Sequence, residues 1–158
     1  MQLPLTDIAE KLQAKKCSIA TAESCTGGWV AQEITAIPGS SAWFDCGFIT
    51  YSNESKQKML GVSKDTLDQN GAVSAEVVAE MAEGALNNSG AHISVATSGI
   101  AGPGGGSKEK PVGTVWFAWA EQGKSVRTKK YCFDGDRELV RKQAVSVALE
   151  GILQNLSD

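Results

Sequence analysis

Apolar positions along the chain switch between helical spacing and the shorter runs typical of strands. From residue 5 to 16, Leu5, Ile8, Ala9 and Leu12 share one helical face, and Lys15 and Lys16 suit the electronegative C-terminal turn. Residues 18–23 are small or β-branched and run into Ser24, Cys25, Thr26, Gly27 and Gly28. Helical periodicity then resumes over residues 29–37, a pattern of strand, tight turn and helix. Pro38 and Gly39 stop that helix, residues 43–51 form an aromatic and β-branched strand, and residues 53–60 form a polar helix. Ser74 is placed to cap a helix over residues 75–88, with Val77, Val78, Met81, Ala82 and Leu86 behind it and Asn87, Asn88 and Gly90 closing it.

Residues 93–97 read as a buried strand. After a glycine-rich loop, residues 112–120 are apolar on both faces, as in an interior strand, and residues 125–133 supply an antiparallel partner. Asp134 or Asp136 caps the last helix, whose core side is expected to carry Leu139, Val140, Ala144, Val147, Ala148 and Ile152. No linker, repeat or low-complexity tract divides residues 1–158. The pattern predicts a single-domain α/β protein, a layered α/β/α sandwich around a mixed, mostly parallel sheet.

The 158 residues, 42% hydrophobic and 21% charged, suffice for a real core without disulfides or a structural metal. A net charge of -3 and the lack of a long basic run exclude nucleic acid as the main partner. Asp7 and Glu10 interrupt any signal-peptide core, and no apolar run approaches membrane-spanning length, so no membrane partner is expected and the cytoplasm is the expected location. Cys17, Cys25, Cys46 and Cys132 lack metal-ligand spacing and are expected to be free thiols.

His92 is the only histidine, and at a strand start it suits a structural role better than a catalytic one. Without a histidine pair or metal motif, a base would come from lysine, tyrosine or a carboxylate, and no metal site is expected. Ser24, at a strand-to-helix handover, could be a nucleophile among unpaired N–H groups, with Gly27 and Gly28 leaving the turn open; an ordinary helix cap explains it equally well. Cys25 is the rival nucleophile. Tyr51, Asn53 and Lys56 lie at a second strand-to-helix junction. Lys56 could accept the Ser24 proton only with a depressed pKa, since at about 10.4 a few lysines in ten thousand are neutral at pH 7. Solvated helix and strand-end packing roles are the alternatives for Lys56 and Tyr51.

Residues 98–107, including Ser98, Gly99, Gly102 and Gly105, form a loop suited to an anion or a flat ligand, yet match neither a P-loop nor a dinucleotide fingerprint. Arg137 opens the final helix, where a cation opposes the dipole, and Arg141 follows one turn on. A bound phosphate would resolve that conflict, as would neutralisation by Asp134, Asp136 and Glu138.

Taken together, residues 21–28, residues 47–53 with Lys56, and residues 98–103 resemble the nicotinamide mononucleotide deamidases of the CinA C-terminal domain family, over nearly the whole chain from Ser18 onward. The resemblance implies an α/β fold and hydrolysis of nicotinamide mononucleotide to nicotinate mononucleotide and ammonia, in pyridine-nucleotide recycling and with no cofactor. It implies Ser24 as nucleophile, Lys56 as base and Tyr51 as an assisting hydroxyl. Substrate contacts are expected from Cys25, Thr26, Gly27, Gly28, Asn53, Ser98, Gly99, Gly102, Gly105, Arg137 and Arg141. Homodimers are usual in the family. Some members carry a second, pyrophosphatase-like domain, an activity not expected of this chain. A non-catalytic nucleotide-binding module, a structural interaction subunit and a Cys25-dependent amidase are the competing functions.

Overall fold

The computed structural model describes residues 2–157. The first helix, α1 (Leu5–Lys15), leads into β1 (Ile19–Glu23), α2 (Trp29–Thr35), β2 (Phe44–Ile49), α3 (Asn53–Leu60), α4 (Lys64–Asn70) and α5 (Ala75–Asn87). The strands β3 (Ile93–Gly99), β4 (Thr114–Glu121) and β5 (Arg127–Cys132) follow, and α6 (Arg137–Ser157) ends the order. The five strands form one sheet in the order β2-β1-β3-β4-β5. β1 runs parallel to β2 and β3, while β4 is antiparallel to β3 and β5, so β4 alone points against the rest.

Helices cover both faces, which buries the interior strands on both sides; all five residues of β1 are buried. On one face, α1, α2 and α6 pack Ile8, Leu12, Ile34, Leu149 and Ile152 against Ile19, Val95, Phe117 and Trp119. On the other, the sheet offers Ala20, Ala22, Ala96, Ala118 and Ala120 to Val77, Val78, Met81 and Ala82 of α5. The alanines leave room for α5 to lie close to the strands. Gly84 of α5 is equally constrained, since a Cβ there would collide with the Leu60 carbonyl.

The expected elements are present, and α4 is an addition. Its sequence KDTLDQN buries only Leu67 and so carries almost no helical periodicity. Ser74 caps α5 by accepting the Val77 N–H at 3.2 Å. Asp136, rather than Asp134, caps α6: its Oδ1 accepts the Leu139 N–H at 2.9 Å. One core assignment on α6 fails. Leu139 is 45% exposed, because the buried stripe runs through Val140, Ala144, Val145, Ala148, Leu149 and Ile152, and Leu139 lies one position, about 100°, off it. His92, at the β3 end remote from Gly99, accepts the Ser18 N–H at Nδ1 over 3.0 Å, a structural role. Among the described residues no helix is long and apolar enough to cross a membrane, and the four cysteines are free.

Candidate active site

The chain leaves β1 for β2 through α2 on one face, and leaves β2 for β3 through α3, α4 and α5 on the other. The carboxyl end of β1 is therefore a switch point, where the divergent connections open a crevice. Ser24 is the first residue beyond β1. The pairing Glu23↔Thr97 and Glu23↔Ile49, continued by one residue, sets Ser24 beside Ser98 and Thr50. With period-two alternation, Ser24 and Ser98 share the face of Ala22 and Ala96, where α3 lies, whereas Glu23 and Thr97 point to the opposite face.

The opposite face builds the turn. The buried Glu23 carboxylate accepts the Val30 N–H at 2.9 Å and the Ala31 N–H at 3.1 Å, anchoring the N-terminus of α2 to the strand end. Thr26 and Thr97 share a hydroxyl hydrogen bond of 2.8 Å. Ser24 is thus not the cap of α2; the residue in that position is Gly28, and a carboxylate on β1 serves the helix.

On the α3 face, Lys56 is buried at 1% exposure. Ser52 caps α3, and the short link from β2 wraps the lysine head. Its Nζ lies 3.0 Å from Ser24 Oγ, 2.7 Å from the Thr50 carbonyl oxygen and 3.2 Å from that of Tyr51. Burial lowers the Lys56 ammonium from its ordinary range to about 8. A neutral amine has two N–H groups for the two carbonyls, which leaves its lone pair for the Ser24 hydroxyl. Burial pushes the neighbouring Cys25 thiol up to about 12, so it holds its proton at neutral pH and is a poor nucleophile.

Tyr51 reaches Lys56 through its carbonyl. Its phenolic oxygen instead accepts a hydrogen bond of 3.1 Å from Arg137 Nη2, while Arg137 Nη1 donates to the Gly102 carbonyl at 2.7 Å. The ring is 62% exposed at the mouth of the site. The acidic neighbours of Arg137 do not neutralise it: Asp136 caps α6, and the ion pairs found among the described residues are Lys64–Asp68 and Lys124–Glu121.

A cavity of about 270 Å³ unites these groups. Of the expected residues, Ser24, Cys25, Tyr51, Asn53, Lys56, Ser98, Gly99, Gly102, Gly105 and Arg137 line it. Ala72 and Val73, from the link before α5, and Ile100, Ala101 and Gly104 complete the wall. Ile100, Ala101 and Gly104 belong to the loop expected to hold a ligand, whereas sequence reading missed Ala72 and Val73, small apolar residues with no chemical signature. The lining holds two cationic side chains and no carboxylate, so it favours an anion despite the protein's net negative charge.

Four expected ligand contacts fall outside the lining: Thr26, Gly27, Gly28 and Arg141. Thr26 is buried on Thr97, and the two glycines carry the chain from Ser24 to α2 with φ of 59° and 100°. Arg141 spends its guanidinium on the turn itself, donating from Nε to the Cys25 carbonyl at 3.0 Å and from Nη2 to the Thr26 carbonyl at 3.2 Å. It braces the Ser24 turn from behind. The Ser24 N–H is likewise committed, to the Thr97 carbonyl at 3.0 Å, which removes it from the donors the turn was expected to supply.

The family described as the CinA C-terminal domain matches residues 4–156, almost the whole chain. The chain belongs to the CinA C-terminal domain family. The nicotinamide-nucleotide amidohydrolase PncC of Escherichia coli strain K12 is 56% identical to this CinA domain over 147 residues, covering 93% of the chain and 89% of that protein. The Pseudomonas putida protein of the same name is 54% identical over 149 residues, covering 94% and 92%. A CinA-like protein of Akkermansia muciniphila is 54% identical over 134 residues, 85% of this chain and only 32% of that longer protein. Among solved structures, a CinA superfamily protein from Klebsiella pneumoniae 700603 matches with a TM-score of 0.92 at 42% identity, over 97% of this chain and 95% of that one. The Agrobacterium tumefaciens competence/damage inducible protein CihA matches with a TM-score of 0.89 at 43% identity, over 100% of both chains.

Proposed function

We propose that this CinA domain, acting as one catalytic unit over residues 1–158, hydrolyses the carboxamide of nicotinamide mononucleotide to nicotinate mononucleotide and ammonia, a step of pyridine-nucleotide recycling. The observation that carries the chemistry is the buried Lys56 Nζ at 3.0 Å from Ser24 Oγ, with two carbonyls holding the amine in place. The substrate assignment is supported by the relatives named as nicotinamide-nucleotide amidohydrolases.

Neutral Lys56 takes the Ser24 hydroxyl proton as Oγ bonds to the carboxamide carbon and the carbonyl electron pair moves onto oxygen. The Lys56 ammonium then protonates the substrate nitrogen, the C–N bond breaks, and ammonia leaves behind an ester on Ser24. Water attacks that ester, giving its proton to Lys56. The C–Oγ bond breaks as Lys56 returns the proton to Ser24, releasing nicotinate mononucleotide. Tyr51 takes part through its carbonyl, which aims Lys56, and through its phenol, which steadies Arg137. Arg137 keeps three guanidinium N–H groups beyond those two contacts, and these are assigned to the substrate phosphate. Asn53, Ser98, Gly99, Ile100, Ala101, Gly102, Gly104 and Gly105, which line the cavity, are assigned to the ribose and ring.

The test is to incubate chelator-treated protein with nicotinamide mononucleotide and measure ammonia and nicotinate mononucleotide. Equal amounts are expected, and neither with Ser24→Ala. Turnover that survives Ser24→Ala or is lost to the chelator refutes the mechanism. The family resemblance also supports a homodimer working in the cytoplasm, and sedimentation equilibrium of the purified chain tests the dimer.

A further inference from the structure

The amide addition step needs a donor for the oxygen that gains the carbonyl electron pair, and the turn around Ser24 does not supply it from Ser24 or Gly27. The Ser24 N–H is held by the Thr97 carbonyl and the Gly27 N–H by the Ser24 carbonyl, each at 3.0 Å. The edge of β3 facing Ser24 offers another. The Ile100 N–H donates to the Thr114 carbonyl at 2.9 Å and the Ile100 carbonyl accepts the Gly113 N–H at 2.7 Å, so the main chain of Ile100 faces the β4 side. Gly99↔Val115, next in register, is then a non-hydrogen-bonded pair, and the main-chain groups of Gly99 turn away from β4 towards the β1 side. Thr97, two residues earlier on that side, gives its carbonyl to Ser24.

β1 ends at Glu23, and beyond Ser24 the chain bends away into the turn. Gly99 therefore stands past the last residue that could pair with it, and among the described residues no main-chain acceptor takes its N–H. Neighbouring strands lie about 4.8 Å apart, which keeps this N–H within one residue of the Ser24 level. Gly99 lines the cavity with Ser24 and Ser98. It also tolerates no side chain: a Cβ would fall 2.6 Å from Val115 Cγ2 and 2.8 Å from the Thr114 carbonyl oxygen.

We propose that the main-chain N–H of Gly99 is an oxyanion donor, hydrogen-bonding the former carboxamide oxygen while the Ser24 Oγ–carbon bond forms and the proton passes to Lys56. This assignment rests on the amidohydrolase reading above.

Because the donor belongs to the main chain, the test is an amide-to-ester exchange. The chain is assembled by chemical ligation with glycolic acid replacing Gly99, alongside an all-amide chain made the same way and a chain with the ester at Ile100. With nicotinamide mononucleotide as substrate, the ester at position 99 should lower kcat about a hundredfold to a thousandfold and leave KM within about threefold. The melting temperature should stay near that of the all-amide chain, since this N–H has no main-chain acceptor. The ester at Ile100, which removes a ladder bond, should lower the melting temperature with a much smaller loss of kcat. A kcat within about threefold of the all-amide chain overturns the proposal. So does a loss of kcat that tracks melting temperature as in the Ile100 chain. If the all-amide chain releases no ammonia, the amidohydrolase reading itself fails and the proposal falls with it.

Discussion

Raising the pH from 7 to 9 should increase kcat/KM about tenfold and then bring it to a plateau, because the proposed base is the neutral form of Lys56. The lysine loses its proton at about 8, held there by burial. About one molecule in eleven then carries the neutral amine at pH 7, half at pH 8 and ten in eleven at pH 9. A lysine at its ordinary value near 10.4 would instead give a rise of nearly a hundredfold over the same interval and no plateau below pH 10. The assay follows ammonia release at substrate well below KM, starting at pH 7 so that the second phosphate ionisation, near pH 6, is already complete. Lys56→Arg should flatten the profile and lower kcat about 10²- to 10⁴-fold, since a guanidinium cannot accept the serine proton. A rate independent of pH between 7 and 9, or one still climbing at pH 10, would refute the reasoning. Stability carries the same signature with a defined sign. The folded-state pKa lies below the unfolded one, so the unfolded chain binds more protons between about 8 and 10.5, and the lysine's contribution to stability rises with pH through that window.

Cys25→Ser should keep kcat within about tenfold, because a thiol pushed up to about 12 is a poor attacking group; loss of acyl-enzyme in this variant, detected by mass spectrometry, would return the cysteine to the mechanism. Arg137→Ala should raise KM for the mononucleotide while leaving turnover of the phosphate-free riboside unchanged, and equal losses on both would remove Arg137 from the phosphate. Tyr51→Phe frees Arg137 from one contact and should raise KM more than it lowers kcat; the reverse pattern would place the phenol at the reacting atoms. Glu23→Gln leaves one of the two α2 N–H groups that the buried carboxylate accepts facing an NH2 group and should lower unfolding free energy by about 1–3 kcal/mol in urea titrations, with the slope unchanged.

The order of strands and helices was legible in the sequence because it rests on local periodicity. Leu5, Ile8 and Leu12 mark α1, and Ser74 and Asp136 stop the backbone donors of α5 and α6 from going unpaired. The scarcity of histidine pointed to a lysine, tyrosine or carboxylate base, and the motifs at Ser24, Lys56 and Ser98 carried the family resemblance that implied the chemistry. Where the local signal was weak, as in α4 with Leu67 as its single buried residue, reading failed. Only the tertiary structure decided what each polar group touches. It gave Arg137 and Arg141 opposite duties, one at the cavity and one behind the Ser24 turn, although they lie a single helical turn apart. It committed the Ser24 N–H to Thr97 and brought Lys56 to Ser24 across 32 residues of chain. The lowered Lys56 pKa is likewise a product of the fold, since burial is set by everything packed around a side chain and by nothing in its immediate sequence.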